Sequence, residues 1–261
     1  MSKEVATKTG STEVALDNAA DLLEQFSGAG YGDVTSSDFN IPRIGIIGDL
    51  SPQLKKNHAA YIEGAEAGHI VDVGMAELFK DGFEFLPVSR VKEWIRWRPR
   101  KTGEGIADRY DYDFIKENNL ERNDRNEYIV QDGSGDEVIE TWQFYGLNLT
   151  AGGRRSFLPM KKSNLKIGRR WFSQMREEKL PSGNIAPLFF RTWKIGSFLD
   201  TGNENQWWNW TVGKGDLVLD LPNKDIILKD AIDFSKQVEA GVVRGTDERD
   251  DIGTSKEEAP F

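Results

Sequence analysis

GFEFLPVSRVKEWIRWRPR, residues 82–100, decides how this chain is read. Aromatic and β-branched residues crowd it, and turn-forming residues bound it, so it is a long strand candidate. Taken at period two, its second half puts Lys92, Trp94, Arg96, Arg98 and Arg100 on one face. Val91, Ile95, Trp97 and Pro99 share the other face, which is the expected inward side. The outward side then carries an indole among four cations, and an exposed indole needs a reason.

Three further segments read as strands: DEVIETWQFYGLNL from Asp136, PLFFRTWKIGSFL from Pro187 and NQWWNWTVG from Asn205. Turn chemistry separates them at QDGSGDE, TAGGRR, PSGN and DTGNEN. The charged, irregular stretch from Gly103 to Arg125 reads as a long loop. Between the first and second of these three strands, SNLKIGRRWFSQMR has helical spacing. Lys162, Lys166, Arg169 and Arg170 fall on one arc, with Ile167, Gly168, Trp171, Phe172 and Met175 opposite and Ser163 as the expected N-cap. DIILKDAIDFSKQVEAG is a second helix, with Ile227, Ala231, Phe234 and Val238 inward and Gly241 as its stop. Strands with a helix inserted among them predict a mainly β protein, an elaborated five-stranded OB barrel with a few helices. It is expected to occupy residues 39–241. Before it, residues 1–38 form an arm with a short amphipathic helix (VALDNAADLLEQF) and a Gly/Ser linker. After it, residues 242–261 form an acidic tail whose composition matches disorder.

Composition excludes several classes. Cysteine is absent and there are only two histidines, so neither a disulfide framework nor a zinc site is expected. No apolar run approaches the roughly 20 residues of a membrane span, and the polar start MSKEVATKTGSTEV does not read as an export signal. A cytoplasmic protein without membrane partners is expected. GGRRS and GSGDE lack the context and the Lys-Ser/Thr of a P-loop. Asp108, Asp111 and Asp113 could hold Mg²⁺ in a nuclease acting on single strands, but ADRYDYDF reads better as a solvated loop. No nucleophile–base pair stands out, and neither an enzyme nor a cofactor is expected.

The formal net charge of −9 argues against nucleic acid until its distribution is considered. From Thr141 to Leu199 the only acids are Glu177 and Glu178, against Arg154, Arg155, Lys162, Lys166, Arg169, Arg170, Arg191 and others. A basic block within an acidic chain suggests a polyanion site. Single-stranded nucleic acid needs cations for its phosphates and flat apolar surfaces for its bases, each stack being worth about 1–3 kcal/mol regardless of sequence. The cationic face from Lys92 to Arg100, the helix cations and Trp207 are the expected groove. The competing reading covers Trp94 with the 103–125 loop and pairs the arginines with its acids. Trp142, Phe144, Trp171 and Phe172 read as core. A third reading makes the aromatic surfaces assembly interfaces of a phage structural or interaction protein.

The chain closes on RGTDERDDIGTSKEEAPF. As a flexible coil this tail spans roughly 25 Å, against a body radius of gyration near 18 Å, so it can reach back over the protein. Asp247, Glu248, Asp250, Asp251, Glu257 and Glu258 would compete with phosphates for the groove, and Phe261 joins a ring to an α-carboxylate. An acidic C-terminus ending in an aromatic residue resembles the tips of bacterial and phage single-stranded DNA-binding proteins, at Asp247–Asp251 and Ala259-Pro260-Phe261. DFNIPRIGIIGDLSPQLKK, AYIEGAEAGHIVD and KKSNLKIGRRW are similar to the replication single-strand binders of tailed phages. The resemblance implies an OB barrel that coats exposed strands in replication, recombination and repair. It also implies a tail that docks polymerase, helicase or primase, and in some phage members contact with host RNA polymerase. The spacer Gly253-Thr-Ser-Lys departs from that pattern.

Overall fold

The computed structural model describes residues 41–98, 105–118, 120–122, 128–130, 132–202, 205–243 and 245. The N-terminal arm, Arg100 and the tail from Asp247 to Phe261 lie outside the described residues. The chain is mainly β and its strand ladders are antiparallel, as the sequence predicts. A small sheet comes first, made of β1 (Ile44–Ile46), β2 (Ile70–Asp72) and β3 (Glu77–Phe79). A larger sheet follows. It contains β4 (Phe83–Trp97), β5 (Ile106–Asp111), β6 (Tyr128–Ile129), β7 (Glu137–Asn148), β8 (Arg154–Lys161), β9 (Arg191–Gly202) and β10 (Asn205–Leu217). The helices are α1 (Phe114–Asn118), α2 (Ser163–Glu177) and α3 (Lys224–Glu239).

Five long strands run in the lateral order β8-β7-β4-β9-β10, with α2 connecting the third of them in sequence to the fourth. This is the arrangement of a partly open, five-stranded Greek-key OB barrel. No ladder joins β8 to β10 among the described residues; α2 and β1 pack against both strands across that opening.

Two parts of the sequence reading need correction. RRSFLPMK, of which the sequence reading assigns only the two arginines, as turn, is strand β8. Pro159 discourages a strand reading because it cannot donate to a ladder. It is tolerated here because β8 has β7 as its one ladder partner among the described residues. The 103–125 stretch is likewise not plain loop, since β5 pairs with β4 from Glu93–Asp111 to Trp97–Ile106. Its charges masked the strand signal.

A β-bulge in β4 organises both cores. The register against β7 slips between Pro87 and Ser89, where Val88 is the extra residue. Before it, Phe83 and Phe85 join a cluster with Phe144, Trp171 and Trp193 beneath α2, while Leu86 points to the opposite cluster. After it the parity inverts, so that Arg90 faces Phe144 and Lys92 faces Trp142 on the α2 side. The opposite cluster gathers Leu86, Val88, Tyr145, Leu147 and Phe157 under Ala231, Phe234 and Val238 of α3. A Cβ at Gly146 would collide with the Phe85 ring, so glycine lets the two layers meet there.

The helices keep most of their expected faces. α2 buries Leu165, Ile167, Gly168, Trp171 and Met175. Its N-cap is Lys162 at φ 50°, so Ser163 is the first helical residue and no side chain caps the end. α3 buries Ala231, Phe234 and Val238, and Gly241 follows it at φ 68° with the Val242 N–H donating to the Gln237 carbonyl, a glycine stop as predicted. The body does not end there. Val243 is buried, and Gly245 bridges to Ile41 and donates its N–H to the Tyr145 hydroxyl. That hydroxyl donates in turn to Gln143, whose amide donates to Glu93.

Truncating Phe234 to alanine empties the centre of the α3 cluster and should cost about 3–5 kcal/mol, read as a lowered urea midpoint. A second expectation concerns Glu178, which accepts from Lys214 Nζ (2.6 Å) and Arg191 Nε (3.2 Å) and so ties the end of α2 to β9 and β10. The Lys214 hydrogen bond and the neighbouring positive charges hold its carboxyl below the usual range. Its stabilisation is therefore complete above the unfolded-state pKa and is lost as pH falls through the lower folded value. Glu178→Gln should lower stability by about 1–2 kcal/mol at pH 7, and the gap to wild type should close as thermal melts are taken into the acid range.

Candidate nucleic-acid interface

The β4 face expected to be open is covered where Trp94 lies. Trp94 is buried, its indole N–H donating to the Tyr112 carbonyl at 2.7 Å. Its ring stacks on Tyr112 (6.0 Å, 16°) and meets Tyr128 edge-on (5.3 Å, 89°). The physical reason is the β5–α1–β6 insertion, which folds back over β4 and supplies both tyrosines. Trp94 is therefore not a stacking platform in this arrangement, and the competing covered reading describes it correctly.

Most of the expected cations have carboxylate partners. Arg96 Nε lies 2.5 Å from Asp136, and its Nη2 2.6 Å from Asp132. Hydrogen bonds from Ser134, then from Arg96, hold the Asp132 carboxyl down to about 2. Arg154 joins β8 to the small sheet through Glu77 (2.6 Å) and Asp72 (3.0 Å). Asp72 is fully buried, and this burial pushes its carboxyl up despite the arginine. Arg155 reaches Asp230 and Asp233 of α3 with its ring-facing guanidinium 5.0 Å from Phe234. Burial opposes its charge, but the two aspartates raise its pKa overall. Lys162 meets Glu137 (3.1 Å), Arg169 meets Glu140 (2.7 Å) and Arg191 meets Glu178. Except for Glu178, which lies inside the basic block, these acids come from outside it in sequence or from its edge, which is why the block looked unopposed.

What remains is a narrower basic zone where the second half of β4, the start of β7, the end of β8 and α2 converge. Lys166, Arg170 and Arg176 are exposed on α2 and have no carboxylate at ion-pair distance among the described residues; Arg98 is exposed at the end of β4. Lys161 Nζ stands 3.7 Å from the Trp97 ring centroid. Lys92 and Arg169, predicted from separate segments, are brought to the same indole, at 5.4 and 5.9 Å from Trp142. Arg90 was not anticipated. Its guanidinium carbon lies 4.4 Å from Trp142 and 3.9 Å from Phe172. Period two placed Arg90 beside Lys92, and that was the available signal; the strand reading simply started one residue too late. Tyr112, 40% exposed, and the half-buried Phe172 supply aromatic surface beside these cations.

Arg154, Arg155, Arg191 and Trp207 are not brought into this zone. Trp207 is half-buried on the β9–β10 hairpin, packed on Gly202, on the same face as the exposed Phe198. β9 runs antiparallel to β4 from Phe85–Trp193 to Phe83–Ile195 and then projects past it, away from Lys92. The outer face of β7 and β8, which OB barrels use for oligonucleotides, is sealed here beneath α3. Asp108, Asp111 and Asp113 are each exposed, and no group of three His, Asp or Glu side chains among the described residues is placed to hold a metal. No helix among them is long and apolar enough to cross a membrane.

Neither the curated proteins nor the solved structures contain a match to this chain. A protein-family model does match, over residues 9–244, which takes in the whole described barrel and stops before the acidic tail. With nearly the full chain covered, the protein belongs to the phage family described as Pam3 phage gp34-like protein.

Proposed function

We propose that this phage protein binds and coats single-stranded DNA without strong sequence preference during replication and recombination, as a non-enzymatic factor. The observation that carries the reading is the basic zone on an OB-type barrel: Lys166, Arg170, Arg176 and Lys92 have no carboxylate at ion-pair distance among the described residues, and Lys92 stands over the Tyr112 and Trp142 rings. Unpaired cations attract phosphates, and neighbouring rings offer stacking surface to bases. In this reading the strand keeps the end of β4 and the exposed side of α2 from the expected groove, without Trp207, while the β7–β8 outer face is occupied by α3. The acidic tail, in this reading, competes with DNA for that zone and offers Phe261 to replication proteins or to host RNA polymerase in the host cytoplasm.

Titrating the protein with oligo-dT while following tryptophan fluorescence tests the proposal. Quenching is expected, with log K falling against log salt at about −0.7 per phosphate contacted. Replacing Lys166 and Arg170 together by glutamine should flatten that slope by about 1.4 and weaken binding at low salt, with the melting temperature little changed. No quenching and no salt dependence would exclude the strand-binding role. Loss of the oligonucleotide's length in the presence of Mg²⁺ would point to the nuclease alternative.

A further inference from the structure

Arg90 differs from the paired arginines of the barrel. Arg96, Arg109, Arg154, Arg155, Arg169 and Arg191 each reach a carboxylate; Arg90 reaches none among the described residues. Its guanidinium sits in a corner formed by Trp142 and Phe172, whose rings are 5.9 Å apart and mutually perpendicular at 89°. Its Nε is buried and has no hydrogen-bond partner. The neighbouring charges do not relieve it. Arg176 of α2 is a second cation, and Lys92 stands on the same face of β4 with its Nζ 3.5 Å from the Tyr112 ring. The acid beside Trp142 is Glu140, and both of its oxygens are committed, one to the Trp142 indole N–H (2.8 Å) and the other to Arg169 (2.7 Å).

A cation in this position is costly to hold. Burial and then Arg176 pull its pKa down. Contact with two rings offsets part of that cost and does nothing for an orphaned N–H. The corner also restricts orientation. Because the two rings are perpendicular, at most one can lie over the face of the planar guanidinium, and the in-plane N–H bonds on the edges the rings leave uncovered form its fork. A tetrahedral oxyanion is the group that such a fork accepts through two parallel hydrogen bonds.

We propose that Arg90, with Lys92 and Arg176 flanking it, is a receptor for one phosphate group, and that Trp142 and Phe172 serve as the clamp that aims its fork. The phosphate is assigned to a phosphodiester of bound single-stranded DNA, and that assignment of source rests on the function proposed above. The receptor itself does not rest on it, because a free phosphate would be recognised by the same fork.

The test uses the full-length protein and two readouts. The first is the arginine Nε–H NMR signal of Arg90, titrated separately with a short oligo-dT and with inorganic phosphate. The second is the salt dependence of oligo-dT affinity for Arg90→Met, Arg90→Lys and, as a control on the far side of the barrel, Lys229→Met. The expected result is a shift of the Arg90 signal with oligo-dT at concentrations where phosphate alone has no effect. Arg90→Met should bind about tenfold more weakly with a salt slope reduced by about 0.7. Arg90→Lys should restore the slope but not the affinity, since it keeps the charge and loses the fork. Lys229→Met should match wild type. An Arg90 signal that shifts equally with phosphate and with DNA supports the receptor and overturns the strand as its source. If the wild type fails to bind oligo-dT while phosphate still shifts the signal, the functional reading falls and the receptor stands. A signal unmoved by either probe overturns the receptor, and because that measurement is made on wild type, poor folding of a variant cannot obscure it.

Discussion

The extra residue in β4 is the constraint on which the rest of the molecule depends. Side chains on a strand alternate strictly, so a single inserted residue exchanges the two faces from that point onward. Up to the bulge, Phe83 and Phe85 fill the barrel beneath α2 and Leu86 faces α3. Beyond it, Arg90 and Lys92 inherit the α2 side, directly across from Phe144 and Trp142. One strand thus delivers two phenylalanines to the core and then, without leaving its ladder, two cations to the rim of the same aromatic cluster. Were the register regular through Val88, Arg90 and Lys92 would be directed to the α3 side.

The aromatic cluster has two parts with different neighbours. Deep in the barrel, Phe85, Phe144, Trp171 and Trp193 meet ring to ring and are closed to solvent. At the rim, Trp142 and Phe172 meet cations instead. Packing explains the first part completely. The second combines buried ring surface with an arginine that has no acid partner among the described residues, a combination that folding stability alone does not favour.

α3 changes what an OB barrel can present. By burying Phe234 against Tyr145 and Phe157 and pairing Arg155 with Asp230 and Asp233, it converts an outer sheet face into a second core. The chain then continues to Gly245, held by Tyr145 and bridged to Ile41. Charge partners follow the same logic across the molecule. Acids far from the basic block in sequence, at Asp72, Glu77, Asp230 and Asp233, are carried by the fold onto Arg154 and Arg155.

Local patterns were enough to determine the long strands β4, β7, β9 and β10, the buried faces of α2 and α3, and the glycine stop at Gly241, because period, capping and turn chemistry act over a few residues. They were not enough for β8, where a proline conceals an edge ladder, or for β5, whose charges conceal a pairing. Tertiary structure alone decided which cations are free. Trp94 looked exposed until an insertion folded over it, and Arg155 looked available until α3 arrived with two aspartates. Ion pairing and burial depend on residues far apart in the chain meeting in space, and no period in the sequence records those meetings.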